Sequence, residues 1–139
     1  MPDQERDDLS KHRIEKSAEM LSDAEELLKT ESYRSSNNRA YYCIFHAIRS
    51  VLALDGVEFK RHSGNIQYFQ KEYIKTGIFS EEDSDIILSA SEIRNASDYD
   101  DFYMVSKDTT EELVKSAMVF YEKVRIYLDN RWDDLSREA

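Results

Sequence analysis

The sequence predicts an all-α protein, an up-and-down bundle of four long helices and one shorter helix, formed as a single domain over residues 1–139. Two observations support this fold class. The 139 residues include only three glycines and one proline, which leaves little material for hairpin turns. Apolar residues also recur at intervals of three and four, as in helices with one buried face. We expect the core to lie within about residues 10–130.

The first two helices are predicted from different patterns. Residues 4–30 carry apolar side chains on one face only, and the capping side chains of residues 31–37 then interrupt the pattern. Residues 38–54 are apolar almost all round, which is typical of a helix packed on several sides. We therefore expect residues 38–54 to form the central helix, which Gly56 ends in the left-handed conformation.

A glycine and a capping motif separate the third helix from the fourth. The third helix is predicted over about residues 62–76 and is the shorter one, with Gly77 as its stop. Ser80 and Asp83 have the spacing of a capping box, in which each side chain accepts a hydrogen bond from the other residue's backbone. The fourth helix is expected to run from there to about Ser97.

The last helix follows an acidic and aromatic connection over residues 98–107. Thr109 and Glu112 have the spacing of a second capping box, and the helix is expected to begin near Asp108 or Thr109. An apolar stripe extends it to about Trp132. Residues 133–139 are predicted to form a loose tail.

Charge distribution constrains the partners. The net charge of −10 disfavours RNA as a partner without excluding it, because general affinity for nucleic acids comes chiefly from cations on phosphates. Residues 33–62 carry five cations and two carboxylates, a net +3, whereas residues 80–101 carry one cation and eight carboxylates, a net −7. This asymmetry is consistent with docking between copies or with a partner, and equally with solvated helix faces.

Cysteine usage and hydropathy indicate the compartment. The single cysteine, Cys43, cannot form an internal disulfide and is expected to be a small apolar filler. The N-terminal residues lack the features of a signal peptide, and no apolar run is long enough to cross a bilayer. We expect a cytoplasmic protein without membrane contact. Neither metal-ligand spacing nor a glycine-rich phosphate loop is present, so we expect no metal and no cofactor.

The central helix carries the first group of candidate site residues. Arg39, Tyr42, His46 and Arg49 follow one helical stripe, which has to face a partner helix, a groove or another subunit. His46 is expected to be a core or interface histidine, with proton transfer as the alternative. His62, at the start of the third helix, is expected to be a capping or surface residue.

The second group lies at the end of the fourth helix. Arg94 could bind a phosphate that Asn95 helps to orient, or it could be held by carboxylates such as Asp98 or Asp101. RNA cleavage without a metal proceeds by attack of the 2′-hydroxyl on phosphorus. It requires a cation on the phosphate and a group that titrates near neutrality. Tyr99 ordinarily titrates near pH 10 and does not meet that requirement.

Several short motifs occur in a specific order along the chain. They are Arg39-Ala40-Tyr41-Tyr42 with Phe45-His46-Ala47, then His62, Phe69 and Lys75-Thr76-Gly77, and finally Arg94 with Asp98-Tyr99-Asp100-Asp101-Phe102. Their order and spacing resemble the HEPN superfamily, the helical domains of prokaryotic toxin–antitoxin and other RNA-targeting defence systems. Within it, the chain is similar to the small stand-alone bacterial and archaeal branch. The resemblance covers roughly residues 10–130.

The resemblance implies a site and a set of partners. Active members are metal-independent endoribonucleases with an arginine, a polar residue and a later histidine at a dimer interface. Arg94 matches the arginine and Asn95 the polar residue, whereas Tyr99 stands where the histidine is expected. The resemblance also implies a homodimer and, frequently, a small nucleotidyltransferase encoded alongside. Such an enzyme can modify a tyrosine near the motif, here Tyr99 or Tyr103.

Three functions are compatible with these observations. The first is a homodimeric component of a toxin–antitoxin or nucleotidyltransferase-linked system, which acts mainly by binding and retains a degenerate ribonuclease motif. The second is an endoribonuclease toxin in which Arg94 and Asn95 bind the phosphate and His46 transfers the proton. The third is a structural helical adaptor. Fold resemblance alone does not choose among them.

Overall fold

The computed structural model describes the backbone of residues 3–138 and the side chains of residues 3–132. Within those residues there are five helices and no strand. The helices are α1 (Asp3–Lys29), α2 (Tyr33–Leu54), α3 (His62–Phe69), α4 (Glu81–Tyr99) and α5 (Lys107–Glu138). The predicted all-α bundle of four long helices and one shorter helix is confirmed.

α2 is the centre of the bundle, as predicted. It packs against α1, α3, α4 and α5, and its apolar side chains are buried around most of its circumference. Ile44, Ile48 and Val51 are almost completely inaccessible to solvent. Only one side of the helix, which we call the open face of α2, carries the half-buried side chains of Tyr42, His46 and Arg49.

α2 begins at Tyr33, five residues before the predicted start at residue 38. A short turn separates it from α1, and Glu31 in that turn has a φ of 63°. Residues expected to be caps are instead buried between helices. The Ser36 hydroxyl donates to a backbone carbonyl of α1, and the Asn37 amide donates to the Ser97 hydroxyl on α4. Their hydrogen-bonding groups are satisfied by tertiary contacts, so they need not end the helix.

The third predicted helix is divided into two segments. α3 passes directly into a π-helical segment, Gln70–Ile74, in place of a single α-helix to residue 76. Gly56 ends α2 with a φ of 69°, the predicted left-handed conformation, and Gly77, the predicted stop of the third helix, has a φ of 84°. The predicted capping box of Ser80 and Asp83 is present at the start of α4.

The boundaries of the last connection differ from the prediction. α4 continues to Tyr99, so that residue belongs to a helix and not to the connection. The Ser106 hydroxyl accepts a hydrogen bond from the Thr109 backbone N–H at 3.1 Å, so the predicted capping box of Thr109 and Glu112 is wrong. α5 extends beyond Trp132 through Glu138, and residues 133–138 are helical where a loose tail was expected. Ala139 lies outside the described residues.

The core is formed by the inner faces of the helices around α2. The apolar stripe predicted for α5 is buried along its length, at Leu113, Ala117, Phe120, Val124 and Leu128. The ring of Phe120 lies 5.9 Å from that of Phe69 and 6.3 Å from that of Phe79, measured between centroids. In the part of the chain that the structure describes, no helix is both long and apolar enough to span a membrane.

Candidate functional site

The guanidinium group of Arg94 lies against α2, where it contacts residues of both helices. Its Nη2 donates to the Tyr42 hydroxyl at 3.2 Å, and its Nη1 donates weakly to the Asn95 side-chain oxygen at 3.4 Å. Its Nε lies 3.1 Å from Oδ2 of Asp98, one helical turn later. That contact is an ion pair without the alignment of a hydrogen bond. Each of the three guanidinium nitrogens of Arg94 therefore has a polar neighbour within 3.4 Å.

Aromatic rings surround the same guanidinium. The rings of Tyr41, Tyr42 and Tyr99 lie 5.2, 5.6 and 5.4 Å from its central carbon, which is the range of cation–π interactions. Tyr99 remains 72% exposed. The ring of Tyr99 thus covers part of the Arg94 guanidinium.

Asp98 connects Arg94 to the start of α2. Its Oδ2 also accepts a hydrogen bond from the Asn38 amide at 3.0 Å. Asp101, the alternative partner expected for Arg94, is exposed and forms no ion pair among the described side chains. Of the two carboxylates considered from the sequence, the structure pairs Arg94 with Asp98.

His62 was expected to be a capping or surface residue, and its surroundings are different. It is half-buried, its Nδ1 lies 3.1 Å from the Tyr41 hydroxyl, and its ring lies 4.0 Å from that of Phe45. Burial lowers its pKa, and the positive charges of Arg94 and Arg49 lower it further. Sequence reasoning missed this histidine because its contacts come from the fold and not from its own helix.

His46 lies on the open face of α2, and Arg94 is not among the charges that affect its pKa. Its ring is 6.0 Å from that of Tyr42, and its Nδ1 is buried without a hydrogen-bond partner among the residues that the structure describes. Burial lowers its pKa to about 4, and nearby cations contribute to this shift; they are Arg49, Lys16, Arg13 and His62. His46 faces a groove of about 290 Å³ whose other walls come from α1.

The remaining residues of the predicted stripe have different partners. Arg39 is exposed, donates to the Asn38 side-chain oxygen at 2.9 Å and lies 4.0 Å from a carboxylate oxygen of Asp23. Arg49 donates to Oε1 of Glu58 at 3.1 Å. The stripe is therefore divided among three local environments, and only Tyr42 among its members contacts Arg94.

Cys43 is the small apolar filler that the sequence predicts. It is buried, its sulfur lies 3.4 Å from the Ser17 hydroxyl, and burial raises its pKa to about 12. A thiol with that pKa is not a nucleophile at neutral pH.

A larger groove than the one at His46 contains none of the predicted site residues. It encloses about 600 Å³ between α1 and α5 and has a largely acidic rim. Size alone does not identify a site, and the titratable and aromatic residues converge on the open face of α2 instead.

Comparison with known proteins identifies the family. A family model described as HEPN domain matches residues 10–127. The chain is 32% identical over 115 residues to a protein named "Putative toxin" from Methanocaldococcus jannaschii, which covers 83% of this chain and 78% of the relative. It is 30% identical over 113 residues to a UPF0332 protein from Archaeoglobus fulgidus, covering 81% of this chain and 90% of the relative. A UPF0332 protein from Thermotoga maritima is 29% identical over 112 residues, with coverage of 81% and 85%. The chain belongs to the HEPN domain family.

Proposed function

We propose that this HEPN protein is one half of a toxin–antitoxin pair and that it acts as a homodimer, mainly by binding. The toxin-like names of two Methanocaldococcus jannaschii relatives support the class of system. Binding is favoured over catalysis because Arg94 is engaged by Asp98, Tyr42 and Asn95. A phosphate would have to displace these groups before it could use the guanidinium.

A hydrophobic segment beside Arg94 carries the proposal of a homodimer. Phe102 and Met104 are 93% and 87% exposed, which is unusual for neighbouring large apolar side chains in a monomeric protein. The acidic segment of residues 80–101 contacts the basic segment of residues 33–62 at this site, where Arg94 donates to Tyr42 and Asn38 donates to Asp98. A two-fold axis would let each acidic segment face the basic segment of the second copy, while the apolar side chains are buried between them.

The oligomeric state tests this interface. We expect the purified protein to have the mass of a dimer in sedimentation equilibrium at micromolar concentration. The double variant Phe102→Ser, Met104→Ser should be monomeric, because it removes the two most exposed apolar side chains. Ile126→Ser is the matched control, since Ile126 is also exposed but lies on α5. A monomeric wild type, or a double variant that remains a dimer, contradicts the proposed interface.

The partner in this proposal is a small nucleotidyltransferase encoded alongside. Tyr99 is the better candidate for modification, since it is exposed, whereas Tyr103 is half-buried. Its hydroxyl oxygen would attack the α-phosphorus of a nucleoside triphosphate, losing its proton to solvent and releasing pyrophosphate. Co-expression should yield a co-purifying pair, and mass spectrometry should find the added mass of a nucleotide on Tyr99.

Growth arrest on expression of this chain alone, relieved by the partner, tests the toxin role. Absence of arrest would count against it.

One observation favours a ribonuclease as a second candidate, with a different proton-transfer residue from the predicted one. His62, not His46, lies near Arg94, because its Nδ1 is 3.1 Å from the hydroxyl of Tyr41, whose ring lies 5.2 Å from the Arg94 guanidinium carbon. Burial lowers the pKa of His62, which favours the neutral imidazole that a base requires. The imidazole would take the proton of the 2′-hydroxyl as that oxygen attacks phosphorus, and the 5′-oxygen would leave with a proton from solvent.

Cleavage of single-stranded RNA in the presence of a chelator tests this candidate. Arg94→Gln should abolish cleavage because it removes the positive charge that would contact the phosphate. His62→Gln should abolish it as well, whereas His46→Gln should not. Full activity in either of the first two variants eliminates this mechanism.

A further inference from the structure

The groove between α1 and α5 has no part in the function proposed above, and we call it the α1–α5 groove. It encloses about 600 Å³, within the range of about 300–1,000 Å³ that is usual for clefts that bind ligands. One wall comes from Glu25 and Leu28 on α1, and the other from residues 108–118 of α5. At a rise of about 1.5 Å per residue, the α5 wall is about 15 Å long. A surface of that length can accommodate about three turns of another helix.

Apolar side chains form the floor of this groove. They are those of Leu28, Val114 and Met118. Val114 is buried and Leu28 packs partly against the core, whereas Met118 is 39% exposed. Methionine is flexible and polarisable, and it is common on protein surfaces that adapt to a partner. An apolar side chain that displaces water from this floor would stabilise a complex.

The rim of the groove is acidic. It carries four carboxylates and one lysine, a net charge of −3: Glu25, Asp108, Glu111, Glu112 and Lys115. A carboxylate oxygen of Glu111 lies 3.8 Å from the Lys107 ammonium. Glu25, Asp108 and Glu112 form no ion pair among the side chains that the structure describes. Both walls therefore offer carboxylates to a positively charged partner, and such complementary charge selects one partner over others.

The two helical walls restrict the kind of partner. Backbone N–H and C=O groups are bonded within each helix, so the groove has no sheet edge to which an extended peptide could add. Recognition has to come from side chains, as when an amphipathic helix lays its apolar face into a groove. A small polyamine would match the carboxylates but would leave the apolar floor in contact with water.

A second copy of this chain does not supply such a helix. Among the helices that the structure describes, only α2 has a net positive charge. The apolar side chains of α2 are buried in the core of the bundle, so they cannot enter a groove on another molecule. The occupant that fits the groove therefore belongs to a different protein.

We propose that the α1–α5 groove binds a positively charged amphipathic helix of another protein. Apolar residues spaced three and four apart on that helix contact the floor, and lysine or arginine residues on its flanks face the carboxylates of the rim. The proposal does not depend on the Arg94 site or on the homodimer, because Arg94, Phe102 and Met104 do not line this groove.

Fluorescence anisotropy of labelled synthetic peptides, titrated with the full-length protein, tests this surface. The first probe is a helical peptide of about 18 residues, or five turns, with leucines on one face and lysines elsewhere. The second has glutamate in place of lysine, and the third has alanine in place of leucine. We expect one leucine–lysine peptide to bind per chain, the leucine–glutamate peptide not to bind, and the alanine–lysine peptide to bind at least tenfold more weakly. Absence of saturable binding of the first probe, or equal affinity for the first and either of the others, overturns the proposal.

Charge reversal locates the binding site. The double variant Glu25→Lys, Glu112→Lys changes one carboxylate on each wall and should weaken binding of the leucine–lysine peptide at least tenfold. Asp85→Lys, Glu92→Lys is the matched control, because it makes the same change in net charge at two exposed residues of α4 that form no ion pair within the described part of the chain. An equal loss of affinity in both double variants would show that net charge alone drives binding, and the site would then be wrong.

Replacement of Met118 tests the apolar floor. Met118→Ser should weaken binding of the leucine–lysine peptide several-fold, because Met118 is the most exposed side chain of the floor. Val119→Ser is the matched control, since Val119 is its neighbour on α5 and is 43% exposed but does not line the groove. Wild-type affinity in Met118→Ser, or an equal loss in Val119→Ser, contradicts the contact with the floor.

Competition with spermidine tests a small cation as the alternative occupant. Spermidine carries several positive charges but has no apolar face, so it should displace the leucine–lysine peptide only at concentrations far above the dissociation constant of the peptide. Displacement at concentrations near that constant overturns the proposal and assigns the acidic rim to small polycations.

Discussion

The substitution Asp98→Asn separates the negative charge of Asp98 from its hydrogen bond with Asn38. The variant removes the negative charge 3.1 Å from Nε of Arg94 but keeps a side-chain oxygen that can accept the hydrogen bond from Asn38. Both members of the ion pair are partly exposed, at 17% and 25% of their side-chain surface, so its contribution to stability is about 1 kcal/mol at most. For a chain of 139 residues, that is a loss of roughly 3–5 °C in melting temperature.

The same substitution should increase the affinity for an anion. A carboxylate about 6 Å from a bound phosphate repels it by roughly 1–2 kcal/mol when the effective dielectric constant lies between that of the protein surface and that of water. Removing it should therefore lower the dissociation constant for single-stranded RNA about tenfold. Fluorescence anisotropy of a labelled oligonucleotide in low salt and chelator measures this change, and urea denaturation measures the loss of stability.

Asp101→Asn is the matched control, because it changes the net charge equally at an exposed residue that forms no ion pair within the described part of the chain. The reasoning is refuted if Asp101→Asn raises the affinity as much as Asp98→Asn does, since net charge alone would then explain the gain. An unchanged melting temperature in Asp98→Asn would show that the ion pair does not contribute to the native state.

Three other predictions concern stability. The pKa of His46 is about 4 in the folded state, below its ordinary value, so the unfolded chain binds this proton more readily. The free energy of unfolding should fall by about 2 kcal/mol between pH 7 and pH 4, as measured by urea denaturation across that range. This decrease should be absent in His46→Gln and present in His12→Gln. Ser80→Ala should cost about 1 kcal/mol because it removes half of the capping box of α4. Phe120→Ala should cost about 3–5 kcal/mol, since the ring is fully buried, and a loss below 1 kcal/mol in calorimetry would contradict its place in the core.

The sequence predicts the helices because their patterns are local. Apolar spacing identifies all five, and the positions of Gly56 and Gly77 are correct because only glycine adopts a positive φ without strain. The predicted start of α2 is wrong because a polar side chain can either cap a helix or form a hydrogen bond to another helix. Ser36 and Asn37 resemble caps in sequence but form hydrogen bonds to α1 and α4, so α2 begins before them.

The candidate site is only partly predictable for the same reason. Arg94, Asn95, Asp98 and Tyr99 are close together in sequence on one helix, so their proximity follows from the helical repeat. The role of Tyr41 does not follow in this way, because its hydroxyl meets a histidine 21 residues later only after α3 folds against α2. Arg13 is missed for a similar reason, since its partner Glu58 lies 45 residues away on a loop.

Net charge is a poor guide to anion binding in this protein, because charge acts locally in salt. At physiological ionic strength, the field of an exposed charge is largely screened beyond about 8 Å. Glu58 lies within 3.1 Å of both Arg13 and Arg49, so its charge acts on these two arginines directly even though the whole chain has a net charge of −10. The carboxylate that contacts Arg94 is Asp98, at 3.1 Å, and the one that contacts Arg13 and Arg49 is Glu58. Because each neutralises its arginines by direct contact, replacing either one should change anion affinity more than replacing several distant carboxylates.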